Sequence, residues 1–172
     1  MSLVLASASV FGRSDDRTKL VNVASKTFSG YLTPNSKTII RDRVTVTQGS
    51  LKATGTYAEL YVDATSSIVR VVLKGNRAHV EELDDEGKLI TADADLIDYN
   101  MTSDVAILTG NAQTFKKDTG TASADHLTYN LDTGELHGTS VGDSLVHMTI
   151  IPKQALGGAV TPGQHATSKP GE

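Results

Sequence analysis

Asp95-Leu96-Ile97-Asp98-Tyr99-Asn100, followed by Leu108-Thr109-Gly110-Asn111-Ala112, returns downstream as Asp125-His126-Leu127-Thr128-Tyr129-Asn130 followed by Leu136-His137-Gly138. A weaker copy upstream has Tyr57 and Tyr61, then Leu73-Lys74-Gly75-Asn76-Arg77-Ala78. Each unit reads as a small residue and Asp, an apolar pair, Tyr, a polar turn, an apolar strand and Gly. The landmarks Tyr61, Tyr99 and Tyr129 stand 38 and 30 residues apart, a period that fits stacked copies of one supersecondary unit. One such unit cannot bury its apolar face alone, so the copies must stack. Function is then expected on a surface or groove that the copies share.

The rest of the chain alternates in the same way. Val21 and Val23 share a parity, as do Val44 and Val46, Leu51 and Ala53, and Val69, Val71 and Leu73. Ala92, Ala94 and Leu96 share a face opposite Asp93 and Asp95, and Val146, Met148 and Ile150 continue the pattern. Period two over short runs means half-buried strands. Turn chemistry separates them at Thr33-Pro34-Asn35-Ser36, Asp84-Asp85-Glu86-Gly87, Lys117-Asp118-Thr119-Gly120 and Leu131-Asp132-Thr133-Gly134. No stretch of helical length has a 3.6-residue period. The fold class is all-β, with about a dozen or more strands between Leu20 and Pro152. Near Leu96-Ile97 the parity slips, so either both faces are partly apolar or a bulge shifts the register.

Composition bounds the chemistry. The 172 residues suit one domain. Aromatics are 5%, and there is neither Trp nor Cys, which leaves a core of small side chains and no thiolate metal site. Net charge is −4, but residues 1–80 carry +6 and residues 81–172 carry −10. That balance argues against a nucleic-acid binder and favours head-to-tail self-association. Residues 1–18 read as a trimmed signal-peptide end or cloning scar with a flexible lead, residues 19–152 as the domain, and residues 153–172 as a disordered tail.

No catalytic constellation is expected. His79, His126, His137 and His147 follow no metal-ligand spacing. Asp93 and Asp95 share a strand face and suit either acid–base work or a solvated face. Asp95 and Asp125 recur at one place in the repeat, which points to a structural role at a strand start. The Asp84-Asp85-Glu86-Gly87 run reads as a hairpin turn, since it lacks the spaced ligands of a calcium loop. Neither a nucleophile elbow nor a phosphate or dinucleotide fingerprint occurs. With few bulky side chains, facing sheets either close into a dry core or leave an apolar groove suited to acyl chains, at about 0.8 kcal/mol for each buried CH₂.

Val44-Thr45-Val46-Thr47-Gln48-Gly49-Ser50-Leu51-Lys52-Ala53, Leu108-Thr109-Gly110-Asn111-Ala112, Asp125-His126-Leu127-Thr128-Tyr129 and the closing Val146 to Lys153 resemble the OstA-like family of lipopolysaccharide-transport proteins. The resemblance spans about residues 20 to 153. It departs at Val80, where the family can carry a bulky aromatic, and over Lys26 to Arg43, which align poorly. It implies an elongated, twisted open β-jellyroll whose apolar groove holds the acyl chains of lipid A. It also implies a periplasmic bridge, stacked head to tail, with no enzymatic activity and no cofactor. The partners implied are an inner-membrane LptC-like protein with its ATPase complex and an outer-membrane LptD-like receptor. This chain has no membrane anchor and no following barrel, so a free-standing bridge is the expectation.

Alternation and the resemblance together place Val21, Val23, Val44, Val46, Leu51, Ala53, Val80, Leu96, Leu108, Phe115 and Leu127 at the groove. Lys37, Arg41, Arg43 and Arg77 are candidates for lipid phosphates at its rim. Two other readings compete. One is a stacking module with a closed core. The other is a repeat-built carbohydrate-active enzyme using Asp95 and Asp125.

Overall fold

The computed structural model describes residues 16, 18–31, 33–131 and 133–153. Among these, ten strands form one antiparallel sheet: β1 (Asn22–Ala24), β2 (Thr27–Gly30), β3 (Lys37–Gln48), β4 (Leu51–Val62), β5 (Ile68–Leu83), β6 (Leu89–Asn100), β7 (Val105–Lys116), β8 (Gly120–Asn130), β9 (Leu136–Thr139) and β10 (His147–Ile150). The order is β1-β3-β4-β5-β6-β7-β8-β10, with β2 also on β3 and β9 also on β8. The all-β expectation holds, and the sheet stays open rather than closing into a barrel. There are fewer strands than expected because the strands are long, up to 16 residues in β5. A bulge bends each long strand where the sequence alone looks like two short ones.

The bulges lie at one level across the sheet. The register shifts between Arg41 and Val44, Thr54 and Tyr57, Lys74 and Ala78, Asp93 and Leu96, and Thr109 and Ala112. The odd strands carry left-handed backbone there: Asp42 (φ 64) and Arg43 (φ 52) in β3, Arg77 (φ 94) in β5, Gly110 (φ 78) and Asn111 (φ 47) in β7. Extra residues in left-handed conformation bend a strand sharply. Each long strand is therefore cut into two arms. β1 pairs one arm of β3 at Thr45–Thr47, and β2 pairs the other at Thr38–Arg41. At the far edge β10 pairs Gly120–Ser123 of β8, and β9 pairs His126–Tyr129. The arms fold toward each other about the bulge line, and that fold makes the jellyroll.

Alanines mark the crease. Ala58, Ala78, Ala94 and Ala112 are 0 to 1% exposed, and Ala78 pairs Ala94 while Ala112 pairs Ala124. Where two arms converge, only a methyl fits. Gly55 sits in the same zone, where a Cβ would stand 2.7 Å from the Lys74 carbonyl. The small-residue composition is thus a condition for folding the sheet on itself.

The parity slip near Leu96 is a bulge. Ile90, Ala92 and Ala94 face inward before it, Ile97 and Tyr99 after it, and Leu96 faces outward. The repeat maps onto two-strand hairpins with one revision. Leu60, Val71, Tyr99, Ala106 and Tyr129 form a continuous cross-strand row, so Leu60 occupies the place of the repeat tyrosine. Tyr61 lies on the outer face, paired with Lys37 and Arg70.

Replacing Ala94 with Leu is expected to destabilise the fold by about 1–3 kcal/mol, because the converging arms cannot make room for the added carbons. Urea denaturation followed by far-UV circular dichroism measures this; a stability equal to that of the unsubstituted protein would show that the crease is loosely packed.

Candidate functional site

Two apolar rows run across the sheet, one on the inner face of each arm. The first is Val23, Val46, Ala53, Val80, Ala92, Thr114, Ala122 and Met148, each paired with the next in register. The second is Phe28, Ile40, Ala58, Leu73, Ile97, Leu108, Leu127 and Gly138. They differ in bulk. The second carries Leu and Ile through its centre, whereas the first has Ala at three positions and Val80 where a larger residue would fill the gap. The mismatch leaves an apolar cleft of ≈ 190 Å³ between the arms. Its walls include Val46, Leu51, Ala53, Val80 and Ala92 from one arm and Leu60, Val71, Leu73, Ile97 and Leu108 from the other.

The ends of the cleft are more polar. Gln48 and Glu82 stand at one end, and Tyr99, Met101, Tyr129 and Leu131 at the other. Burial pushes the Tyr129 hydroxyl well above the usual tyrosine pKa, so the ring stays neutral. Beside the first end, buried Asp16 accepts hydrogen bonds from Ser50 N (2.7 Å), Ser50 Oγ (2.5 Å) and Lys19 Nζ (2.6 Å). These bonds hold its carboxyl far below the usual carboxylate range. Gln48 Nε2 donates to the Lys19 carbonyl at 3.1 Å. The clasp brings Val21 to the cleft wall. Asp16 falls within the lead segment expected to be flexible. The rest of that lead, apart from Thr18, and the tail beyond Lys153 lie outside the described residues.

The edges of the cleft are open. Inward-pointing Val23, Phe28 and Met148 end the two rows on edge strands, yet they are 42%, 75% and 60% exposed. Among the described residues no strand pairs the outer edges of β1, β2, β9 or β10. An apolar side chain that faces the interior and still meets water marks an unclosed seam.

Of the eleven residues expected at the groove, Val21, Val46, Leu51, Ala53, Val80 and Leu108 line it. Val44 and Leu127, each 1% exposed, form the packed floor near the crease, and Val23 stands at the open edge. Leu96 and Phe115 are corrections. The bulge turns Leu96 outward, and Phe115 alternates with the inward Thr114. The sequence reading missed other lining residues, Leu60, Val71, Leu73 and Ala92 among them, and Ile97 and Tyr99 needed the register of the β6 bulge.

None of the four rim cations lines the cleft itself. Lys37 and Arg41 alternate with buried Thr38 and Ile40, so they take the outer face. Arg43 is exposed at the β3 bulge. Arg77 is engaged by Asp93 at 3.5 Å and by Gln113 at 2.9 Å. His79 Nδ1 lies 3.0 Å from Asp93.

The recurrent aspartates are structural, though mid-strand rather than at a strand start. Asp95 accepts from Asn111 Nδ2 at 3.1 Å, across the β7 bulge, and a Cβ on Gly110 would collide with its carboxylate. Asp125 accepts from Val141 N at 2.8 Å. Asp95 holds the side chain of a bulge residue in β7 and Asp125 holds the backbone just after β9, which argues against the enzyme reading. No group of three or more metal-ligating side chains converges among the described residues. A second depression of ≈ 570 Å³, between Gln113, Ser123, Asp125 and the segment 140–147, is open and polar, and so unsuited to an acyl chain.

The family described as LptA/(LptD N-terminal domain) LPS transport protein matches residues 22–135. The chain belongs to this family. It is 26% identical over 155 residues to the lipopolysaccharide export system protein LptA of Haemophilus influenzae, covering 89% of each chain. Its fold is similar to that of LptH from Pseudomonas aeruginosa, the LptA-homologous periplasmic component of a lipopolysaccharide transport device. That likeness has a TM-score of 0.68 at 21% identity, over 80% of this chain and 99% of the other. In this family member the matched residues run from β1 to just before β9, so they contain every residue lining the cleft except Val21.

On the outer face Glu59 accepts hydrogen bonds from Tyr57 (2.5 Å) and Tyr61, with Lys37 at 3.4 Å. The two tyrosine hydroxyls lead the effect that holds its carboxyl at about 2, against an ordinary 4.5. A depressed folded pKa adds stability above the unfolded value, and that contribution is lost as pH falls through the folded one. Glu59→Gln is therefore expected to lower the Tm at pH 7. The gap from the unsubstituted protein should narrow as pH falls from about 4.5 to about 2; calorimetry across that range reads it, and a gap independent of pH would refute the assignment.

Proposed function

We propose that this chain is a periplasmic carrier of lipopolysaccharide that holds the acyl chains in the cleft between its two arms. The observation that carries the reading is the pair of facing apolar rows that end on exposed, inward-pointing side chains at an unpaired seam. A closed stacking module would bury those ends. In an aqueous gap each exposed CH₂ costs about 0.8 kcal/mol. Passing a chain between two grooves of similar chemistry costs almost nothing. Such a carrier needs no bond-breaking group, and the driving energy comes from outside it.

Residues 19–152 are the working unit in this reading. The protein is a bridge of head-to-tail protomers, in which the free edges of β1 and β2 accept the β9 and β10 edge of a neighbour. A heterologous contact that does not close gives a filament. The same edges suit an LptC-like partner with its ATPase complex on the inner-membrane side and an LptD-like receptor on the outer-membrane side. The opposite charge of the two halves of the sequence supports this polarity.

A photoreactive amino acid at Val46 is expected to crosslink purified lipopolysaccharide, while the same probe at the outward-facing Phe115 should not. A silent Val46 probe in a folded protein, or equal labelling at both sites, would count against the groove. Val80→Glu is expected to reduce lipid binding by about tenfold or more, because the cleft would desolvate a carboxylate; unchanged binding with unchanged Tm would move the lipid elsewhere.

A further inference from the structure

The outer face over β3, β4 and β5 carries two rows of the same design. In one, Lys37, Tyr61 and Arg70 are direct cross-strand neighbours. In the other, four residues along each strand toward the crease, stand Arg41, Tyr57 and Lys74. In both rows the central ring holds its two cations. Lys37 and Arg70 lie 5.7 and 5.1 Å from the Tyr61 centroid, and Arg41 and Lys74 lie 5.7 and 5.5 Å from that of Tyr57.

The rows differ in their acids. Lys37 meets Glu59 at 3.4 Å, and Arg70 grips Asp98 through two bonds of 2.8 and 2.5 Å. The first row is electrically closed. Arg41 and Lys74 have no carboxylate among the described residues. Both Glu59 oxygens are taken, Oε1 by Tyr57 and Oε2 by Tyr61 and Lys37. Beyond Lys74 the row continues to Leu96, and beyond Arg41 to Thr27, neither of which carries charge. Two cations, fixed over one aromatic ring and left without an anion, form a preorganised receptor for one. The fork of an Arg and the point charge of a Lys match a phosphate group.

The position names the source. Arg41 pairs with Thr27 on edge strand β2, so it stands one strand spacing, about 5 Å, inside the open seam. The inward neighbour of Thr27 is Phe28, 75% exposed at that seam. A lipid whose chains pass Phe28 into the cleft leaves its headgroup at the β2 edge, and Thr27 is small enough to let that headgroup fold over.

The geometry points to the Arg41–Tyr57–Lys74 row as an outer-face dock for a phosphate of the lipopolysaccharide headgroup. The inference rests on the carrier reading, and it adds that the headgroup is held by this row and not by the cations of the Tyr61 row.

The test uses deacylated, phosphorylated lipopolysaccharide saccharide, which removes the contribution of the acyl chains. Isotope-labelled protein is titrated with this saccharide and with its phosphatase-treated form. The phosphorylated form is expected to shift resonances of Arg41, Tyr57 and Lys74 and to bind about tenfold tighter than the treated form. Arg41→Gln with Lys74→Gln should abolish that difference. The charge-preserving pair Arg41→Lys and Lys74→Arg should retain most of it, and Lys37→Gln should leave it intact. Equal affinity for both saccharides, equal shifts in the two rows, or full competition by inorganic phosphate at the same concentration as the saccharide would each overturn the dock. Crosslinking of intact lipopolysaccharide at Val46 in the Arg41→Gln, Lys74→Gln protein separates the two ideas. If it persists while the saccharide result fails, the dock falls and the groove stands; if unsubstituted protein fails to crosslink there, the carrier reading falls first.

Discussion

A line of backbone irregularities organises this molecule. At one level, β3, β5 and β7 enter left-handed conformation, at Asp42 and Arg43, at Arg77, and at Gly110 and Asn111. Without that line, long antiparallel strands would give a flat sheet with one wet face and one exposed apolar face. With it, the apolar face of one arm meets that of the other and the strands bury their own interior. Asp95 accepts from the side chain of the left-handed Asn111, Asp125 accepts from the Val141 N–H just after β9, and the buried alanines of the crease let the arms approach. In β7 the Gly110-Asn111 pair is the chemical form of this device, since both residues tolerate positive φ at little cost, whereas in β5 it is Arg77, just after Gly75-Asn76, that takes the left-handed conformation.

From the crease outward, the two inner rows diverge in bulk as well as in position. Leu73, Ile97, Leu108 and Leu127 fill their side, while Ala53, Ala92 and Ala122 leave theirs unfilled. A core packed to ordinary density would not keep that space. The fold accepts the loss of contacts because the crease and the six long strands already hold the sheet together. The open seam has the same origin. The short edge strands β1, β2, β9 and β10 cover only the ends of the rows, so the last apolar residue of a row reaches water.

The outer face follows a separate logic. There the bent sheet cannot bury apolar rows, and it is stabilised by cross-strand tyrosine, cation and carboxylate contacts around Glu59 and Asp98. These are local pairs that a strand register creates. They explain why basic residues with no charged partner nearby in the sequence are mostly engaged. Arg77 is bound to Asp93 and Gln113, and Lys37 to Glu59. The outer contacts add rigidity to the arms and leave the cleft uncharged along its middle.

The sequence by itself determined the strands, the turns, the repeat and an interior of small apolar side chains. These depend on period-two alternation, turn residues and side-chain size, all local properties. Six of the eleven groove residues expected from alternation and the family resemblance together line the cleft, Val46, Ala53 and Val80 among them. The tertiary structure alone decided which face each residue takes beyond a bulge. One extra residue reverses every later side chain, so along β6 Leu96 turned outward while Ile97 and Tyr99 turned in. It also decided which cations have partners, because Arg70 and Asp98 are far apart in sequence and meet only when β5 and β6 pair in register. Alternation is written residue by residue, whereas register is a property of two strands at once.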